Sequence, residues 1–304
     1  MDWGSLWTAA GLVAGVFAVW VVVALLRRGR ARTTLMRRNS LALECLRAGQ
    51  VSEAIALHEQ NLAACERVLG TRNPATLTIR GNLAGAYLDA GRTDEAVALH
   101  ELNLADSERI LGADHPGSLN SRGNLAAACL EAGQIAEAIM HGERALAGRE
   151  RVLGTGHPDT LTTRDNLAGA YLKAGRTDEA ITLHGQVLAD RLSTLGALHP
   201  DTVMSRNNLG GAYLSAGRAD EAITLFRGAM ADCLHSVGAD HPITLTSRGN
   251  LAGAYLTAGR PREAVPFLEQ ALAGWERLLG AGHPRTLATR DHLTAAREAA
   301  SQAG

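Results

Sequence analysis

Aromatic residues are scarce in this sequence and make up 4% of its 304 residues. With 46% hydrophobic residues, mostly alanine and leucine, this composition favours closely packed helices over a pocket lined by aromatic side chains. Lysine is nearly absent, and Lys173 is the only one, which is typical of a GC-rich bacterial genome. Six of the 30 basic residues lie between residues 27 and 38. The rest of the chain is therefore mildly acidic, which disfavours binding to nucleic acid.

Residues with a recognisable reactive or metal-binding arrangement are also missing. The four cysteines do not have the spacing of metal ligands, and Cys45 and Cys129 occupy a position that is tyrosine in other copies of a repeat. The sequence contains no G-x-x-x-x-G-K, no H-E-x-x-H and no G-x-S-x-G. We therefore predict that the protein is not an enzyme and has no cofactor and no metal site.

Only one long hydrophobic run is present, at residues 3–26, where no side chain is charged. Its length suits a hydrocarbon core of about 30 Å, and Trp3, Trp7 and Trp20 suit its interfaces. The basic segment 27–38 follows the run and leads into the first repeat helix. We predict a transmembrane anchor in the inner (plasma) membrane, with the N-terminus outside and the rest in the cytoplasm. A cleaved signal peptide is the alternative. Gly11 and Gly15 are spaced for a helix–helix contact, so the anchor could form a homodimer.

Internal repetition dominates the remaining sequence. The stretch at residues 82–116 returns at residues 124, 166, 208 and 250, always 42 residues on and without a gap. Such a period is typical of a solenoid. Two apolar helical patterns flank a turn in each unit, and in most units this turn is Ala-Gly-Arg. Glycines such as Gly175 and Gly196 end the helices, and a proline opens every unit after the first. We predict six helical hairpins over residues 33–283 and a capping helix at residues 284–301.

The motifs N-L-A-x-x-Y, A-G-R and E-A recur in these units, joined by L-G-x-x-H-P-x-T-L. They resemble tetratricopeptide repeats, and the 42-residue period is similar to that of kinesin light chains and their bacterial relatives. The resemblance covers residues 33–301. It implies an all-α fold, a right-handed superhelical solenoid of antiparallel helix pairs. In that fold the first helices of the pairs line a concave groove that binds extended peptides.

One asparagine of the motif has a role in these relatives, where it faces the groove and hydrogen-bonds the backbone of the bound peptide. The matching residues are Asn82, Asn124, Asn166, Asn208 and Asn250. An amide both donates and accepts, so it suits a backbone without requiring a particular side chain. The alternative is that these asparagines cap or bridge adjacent helices. The lysine clamp of carboxylate-binding members is not matched.

Two further residues recur with the same period. An arginine, such as Arg80 or Arg164, precedes each asparagine by two residues and lies roughly 200° away around the helix. We expect its head to reach a second-helix carboxylate such as Glu95 or Glu179, although a ladder that binds phosphate or acidic groups is an alternative. The histidine before each unit proline is interpreted as a loop residue, because equivalent residues lie a helix spacing apart, too far to share one zinc ion.

The sequence thus predicts a membrane-anchored cytoplasmic tetratricopeptide scaffold that binds an extended peptide or protein partner in its groove. Two alternatives stay open. One is a self-assembly module, and the other is a ligand-responsive regulatory sensor that acts on a separate effector.

Overall fold

The computed structural model describes residues 37–302, and the regular structure within this range is entirely α-helical. Helix α1 covers residues 37–47 of the described range. The later helices are α2 (Val51–Leu69), α3 (Pro74–Asp89), α4 (Thr93–Leu111), α5 (Pro116–Glu131), α6 (Ile135–Leu153), α7 (Pro158–Lys173), α8 (Thr177–Leu195), α9 (Pro200–Ser215), α10 (Ala219–Ser236), α11 (Pro242–Thr257), α12 (Pro261–Leu279) and α13 (Pro284–Gln302). The chain divides within α6, after Gly148, into two compact units. We call residues 37–148 unit 1 and residues 149–302 unit 2.

The helices begin and end where the sequence places proline and glycine. Proline is the first residue of α3, α5, α7, α9, α11 and α13, where its missing N–H costs no hydrogen bond. Gly175 ends the turn after α7 with a φ of 76°, and Gly196 follows α8 with a φ of 81°. Both angles are strained for any residue with a side chain, so the two glycines fix the ends of the hairpin.

The histidine before each proline is a helix cap, which the interpretation as a loop residue missed. His157 Nδ1 accepts a hydrogen bond of 3.2 Å from the backbone N–H of Asp159, two residues into α7. Asn73 caps α3 in the same way, with 3.0 Å between its Oδ1 and the backbone nitrogen of Ala75. The remaining caps of this kind are His115, His199, His241 and His283. Each one satisfies a backbone donor that the first turn of a helix leaves unpaired.

The buried face of each hairpin follows the helical spacing in the sequence. In α7, Leu161, Leu167, Ala168 and Tyr171 are buried, whereas Leu172 is half-buried. Within unit 1, α2 packs on α3, α3 on α4 and α4 on α5, and within unit 2 each helix from α7 to α12 packs on the next. Each unit is therefore a helical solenoid in which apolar side chains are buried between neighbouring helices.

A cation–π contact between a tyrosine of the first helix and the arginine that precedes the second helix joins the two helices of most hairpins. The guanidinium of Arg176 lies 4.1 Å from the ring centroid of Tyr171, and its Nε donates to Glu179 at 2.9 Å. This hydrogen bond lowers the pKa of Glu179. In the hairpin that carries Cys129 in place of the tyrosine, Gln134 replaces the arginine. The two positions thus change together, as expected for residues that stabilise the turn by direct contact.

The predicted membrane anchor requires correction. No helix among residues 37–302 has an apolar stretch long enough to cross a membrane, because charged side chains recur along the exposed helix faces. The fold is an all-α solenoid, and the prediction of a preceding transmembrane helix, with its single-pass inner-membrane location, is wrong on this finding. The predicted anchor at residues 3–26, with Gly11 and Gly15, lies outside the described residues, as does most of the basic segment 27–38.

Candidate peptide-binding groove

The asparagine ladder lies on the first helix of each hairpin. Its members are Asn82 on α3 and Asn124 on α5 in unit 1, and Asn166 on α7, Asn208 on α9 and Asn250 on α11 in unit 2. Asn124 and Asn166 are exposed and the other three are half-buried. Asn82 Nδ2 donates a 2.9 Å hydrogen bond to Asn39 Oδ1 on α1, so this member does bridge adjacent helices. The other four amides form no hydrogen bond within residues 37–302.

The surface around the ladder is open and made of small residues. Three residues after each asparagine, the chain carries a glycine or alanine that is exposed or half-buried: Gly85, Ala127, Gly169, Gly211 and Gly253. A Cβ added at Gly85 or Gly169 would meet nothing within 4 Å. Four residues before each asparagine the side chain is exposed: Thr78, Asn120, Thr162, Met204 and Thr246. These first-helix faces therefore let the backbone of another chain approach the amides closely.

Unit 1 contains a groove of about 540 Å³ between α3 and α5, with α4 as its floor. Asn82 and Asn124 line its walls, and no aspartate, glutamate, lysine or arginine lines it. Asn103, Ser107 and Ser121 form the polar part of the floor. We use the name unit 1 floor for Asn103 and Ser107 of α4 together with Ser121 of α5 and Gly81 of α3. The hydroxyl oxygens of Ser107 and Ser121 are 3.1 Å apart, and Ser107 donates to its helix backbone at 2.7 Å.

Asn103 is the most unusual residue of the unit 1 floor. It is 5% exposed, yet its Oδ1 has no hydrogen-bond partner. A buried acceptor without a partner costs roughly 1–3 kcal/mol, so such groups are rare unless a ligand or water completes them. Asn103 was not predicted from the sequence. A signal existed, because the equivalent residue is Asn61 one repeat earlier but Ala145, Val187, Ala229 and Ala271 later.

Three buried histidines lie on the second helices of their hairpins: His58, His100 and His184. Burial lowers the pKa of His58 and of His100, which favours the neutral imidazole. Nδ1 of His100 has no partner. In unit 2, by contrast, His184 Nδ1 lies 2.9 Å from Asp165 Oδ1. The Nδ1 atom at this position therefore has a carboxylate partner in unit 2 and no partner in unit 1.

Most of the recurring arginines are buried or half-buried, but their partners differ from those expected. Arg80 is 1% exposed and contacts Asp106 at 2.8 Å and Glu66 at 3.4 Å. Arg164 likewise contacts Asp190 at 3.0 Å and Glu150 at 2.7 Å. The carboxylates belong to the C-terminal halves of the second helices on either side. Glu95 and Glu179, the expected partners, instead pair with the turn arginines.

The other candidate reactive groups are buried or dispersed. The four cysteines are free and buried, and burial raises the pKa of Cys65, Cys129 and Cys233. Among residues 37–302, no three histidine, cysteine, aspartate or glutamate side chains are grouped as metal ligands would be. The cysteines therefore act as apolar packing residues in the hairpins.

Stacked helical hairpins with an open, amide-lined face define a helical-repeat binding scaffold. The sequence model of the Tetratricopeptide repeat family matches residues 31–102, 79–151, 123–193, 166–231 and 201–277. The chain therefore belongs to the tetratricopeptide repeat family. No curated protein matches it in sequence.

Among solved structures, the chain is similar to repeat proteins of the kinesin light chain type. The nearly identical TPR-like repeats of a kinesin light chain from Podosopora anserina are 33% identical, with a TM-score of 0.64. The match covers 68% of this chain and 98% of that one. BtubC (BKLC) from P. vanneervenii has the same fold at 19% identity, with 77% of this chain and 94% of that chain covered and a TM-score of 0.65.

A third structure with this fold is the tetratricopeptide repeat sensor ATPase PH0952 from Pyrococcus horikoshii. It is 14% identical with a TM-score of 0.65, and the match covers 85% of this chain and 38% of that chain. These comparisons confirm the predicted resemblance to kinesin-light-chain-like tetratricopeptide repeats. Proteins of this family bind protein or peptide partners and are generally non-enzymatic, so the chain is a scaffold suited to protein–protein interaction.

Proposed function

We propose that the chain binds an extended segment of a protein or peptide partner along the open faces of its first helices. Within each unit the asparagine ladder holds the backbone of such a segment, through Asn82 and Asn124 in unit 1 and through Asn166, Asn208 and Asn250 in unit 2. The observation that carries the proposal is that none of the five asparagines is buried and four have unengaged amides. A purely structural asparagine would be expected to use its hydrogen bonds within the fold.

The small residues beside the ladder support the same function. Glycine at position 85, 169, 211 or 253 leaves room for a backbone at van der Waals distance from the helix. Each amide–backbone hydrogen bond contributes roughly 0.5–1.5 kcal/mol net. Several such bonds along one segment give a modest affinity that depends little on side chains, because ordering the segment costs part of the gain.

A pooled library of acetylated and amidated dodecapeptides tests the proposal. The full chain is compared with a triple variant, Asn124→Ala, Asn166→Ala and Asn208→Ala. The matched control changes three amides at one equivalent exposed position of the second helices, Gln60→Ala, Gln186→Ala and Gln270→Ala. Captured peptides are identified by mass spectrometry, and the affinity of one of them is then measured by titration.

We expect the ladder variant to bind the selected peptide at least tenfold more weakly, because it loses several hydrogen bonds, and the control variant to bind it normally. All three proteins must show equal helicity and melting temperature. Equal binding by the ladder variant would show that the peptide binds at another surface of the protein. Concentration-dependent association of the chain without peptide, together with no peptide capture, would favour the self-assembly alternative instead.

A further inference from the structure

The unit 1 floor differs from the equivalent floor in unit 2, 84 residues further on. There Asp165 occupies the position of Gly81, and Arg191 occupies that of Ser107. The carboxylate of Asp165 contacts His184 Nδ1 and Arg191 Nη1, each at 2.9 Å, and Arg191 also donates to Ser205 at 2.7 Å. The polar groups of that floor thus satisfy one another and leave nothing for a ligand.

In the later floors of unit 2, apolar residues replace Asn103 and Ser107. Buried Val203, Ala229 and Cys233 form a cluster below α9 and α11. Below α11 and α13, Leu245 packs with Ala271 and Trp275. The floor below α9 and α11 keeps one unpartnered polar atom, the Oδ1 of Asn207 at the position of Gly81, whereas Ala229 and Ala271 take the place of Asn103 in the two floors.

In unit 1 the carboxylate is missing, its histidine partner remains as His100, and Ser107 replaces its arginine partner. A Cβ added at Gly81 would lie 3.6 Å from Asn103 Nδ2, an ordinary contact, so the space beside Gly81 is open. Oδ1 of Asn103 has no partner, and neither has Nδ1 of His100, whose counterpart His184 is bonded to Asp165. The floor therefore has the polar atoms of a binding site and a space where the side chain of Asp165 lies in unit 2.

We propose that the unit 1 floor is a subsite that takes the primary amide of an asparagine or glutamine side chain from the bound segment. The proposal rests on the proposed function, since the segment must first lie in the groove. The incoming amide donates its N–H to Asn103 Oδ1, and its carbonyl oxygen accepts from the open amide of Asn124. A primary amide provides both groups on one planar unit.

The lack of charged residues in the groove lining disfavours charged side chains. A carboxylate would face the Oδ1 of Asn103 with no lysine or arginine in the lining to offset its desolvation. An ammonium or guanidinium group would be desolvated without a carboxylate. An aliphatic side chain would leave the buried oxygen of Asn103 unpaired, which costs more than the contact returns. An uncharged amide meets none of these penalties.

Two variants test the subsite. Asn103→Val carries the residue found at the same position in unit 2, where Val187 is fully buried within an intact hairpin. Gly81→Asp restores the side chain that fills the floor in unit 2. Both variants and the unaltered full chain are incubated with a positional-scanning library of acetylated and amidated dodecapeptides, in which one position at a time is fixed and the rest are mixed.

The unaltered chain should prefer asparagine or glutamine over aspartate, glutamate and lysine at one position, by roughly threefold to tenfold. Both variants should lose this preference while they still capture the mixed peptides through the ladder. Retention of the preference in both variants, or a preference for a charged residue, would overturn the subsite and leave the groove intact. Absence of any peptide capture by the unaltered chain would overturn the groove and the subsite together.

Discussion

The position of Phe226 on α10 shows how single residues adjust to one another within a hairpin. The facing residue on α9 is Gly210, and a Cβ added there would lie 2.6 Å from the phenyl ring. In the hairpin of α11 and α12 the same two positions hold Ala252 and Leu268, both buried. A larger side chain on one helix is thus matched by a smaller one on the other, as close packing requires.

Gly210→Ala should therefore destabilise the chain, although alanine is the better helix former by about 1 kcal/mol. Overpacking a core typically costs 1–3 kcal/mol, so we expect a net loss of about 1 kcal/mol. Gly211→Ala is the matched control, because it lies in the same helix and its added Cβ would meet nothing within 4 Å. It should stabilise by about 0.5–1 kcal/mol. Urea unfolding of both variants measures the difference.

The second change Phe226→Leu should reverse the loss in Gly210→Ala, because the pair then matches Ala252 and Leu268. If Gly210→Ala is as stable as Gly211→Ala, the phenyl ring moves at no cost and the size match has no energetic role.

At the scale of the element, each first helix from α3 onward begins with a proline, and the residue before this proline caps the helix. The cap of α7 rests on His157 Nδ1, and Asn73 provides the same hydrogen bond at α3. His157→Ala should lower the free energy of unfolding by about 1 kcal/mol, whereas His157→Asn should preserve it, because asparagine is among the best N-cap residues. Thermal and urea unfolding at pH 8 compare the two. An equal loss in both variants would show that the histidine acts by packing rather than by capping.

The element bounds were accessible from the sequence, because proline, glycine and helical spacing act locally. The buried residues Leu161, Leu167 and Tyr171 follow from the same spacing. The caps were missed because a histidine carries no unambiguous capping signal, although Asn73 at the same position provided one. The predicted partners of the arginines were wrong, since choosing among several carboxylates requires the relative placement of three helices. Glu66 and Asp106 became identifiable only from that placement.

The unit 1 floor was beyond the sequence argument for a different reason. A repeat motif describes what the copies share, and the floor is defined by where they differ. Gly81 stands where two other copies have an aspartate, Asp165 and Asp291, and Asn103 stands where most other copies have alanine. Whether such a difference opens a site depends on which atoms lose their partners, and this requires coordinates.

Across the whole molecule, the recurring arginine is the side chain that links successive hairpins within each unit. Most copies contact a carboxylate 14 residues earlier, 26 residues later, or both. Arg248 differs, because those two positions hold Leu234 and Gly274. It is 7% exposed, its Nη1 donates to the backbone oxygen of Ala239 at 2.8 Å, and burial lowers its pKa. This copy has the cost of burial without the carboxylates that offset it elsewhere.

Arg164 and Arg248 should therefore respond differently to the same substitution. Arg164→Met removes two ion pairs from a buried guanidinium and should cost about 1–3 kcal/mol. Arg248→Met should cost less than about 0.5 kcal/mol or stabilise the chain, because it removes a poorly compensated buried charge. Leu234→Glu, at a position that is 37% exposed, should add about 0.5–1 kcal/mol in the presence of Arg248 and nothing in Arg248→Met. Urea unfolding of Arg164→Met, Arg248→Met, Leu234→Glu and the double variant Leu234→Glu with Arg248→Met measures these changes in stability. Equal losses at Arg164 and Arg248 would mean that the arginine stems, and not their charges, hold the hairpins together.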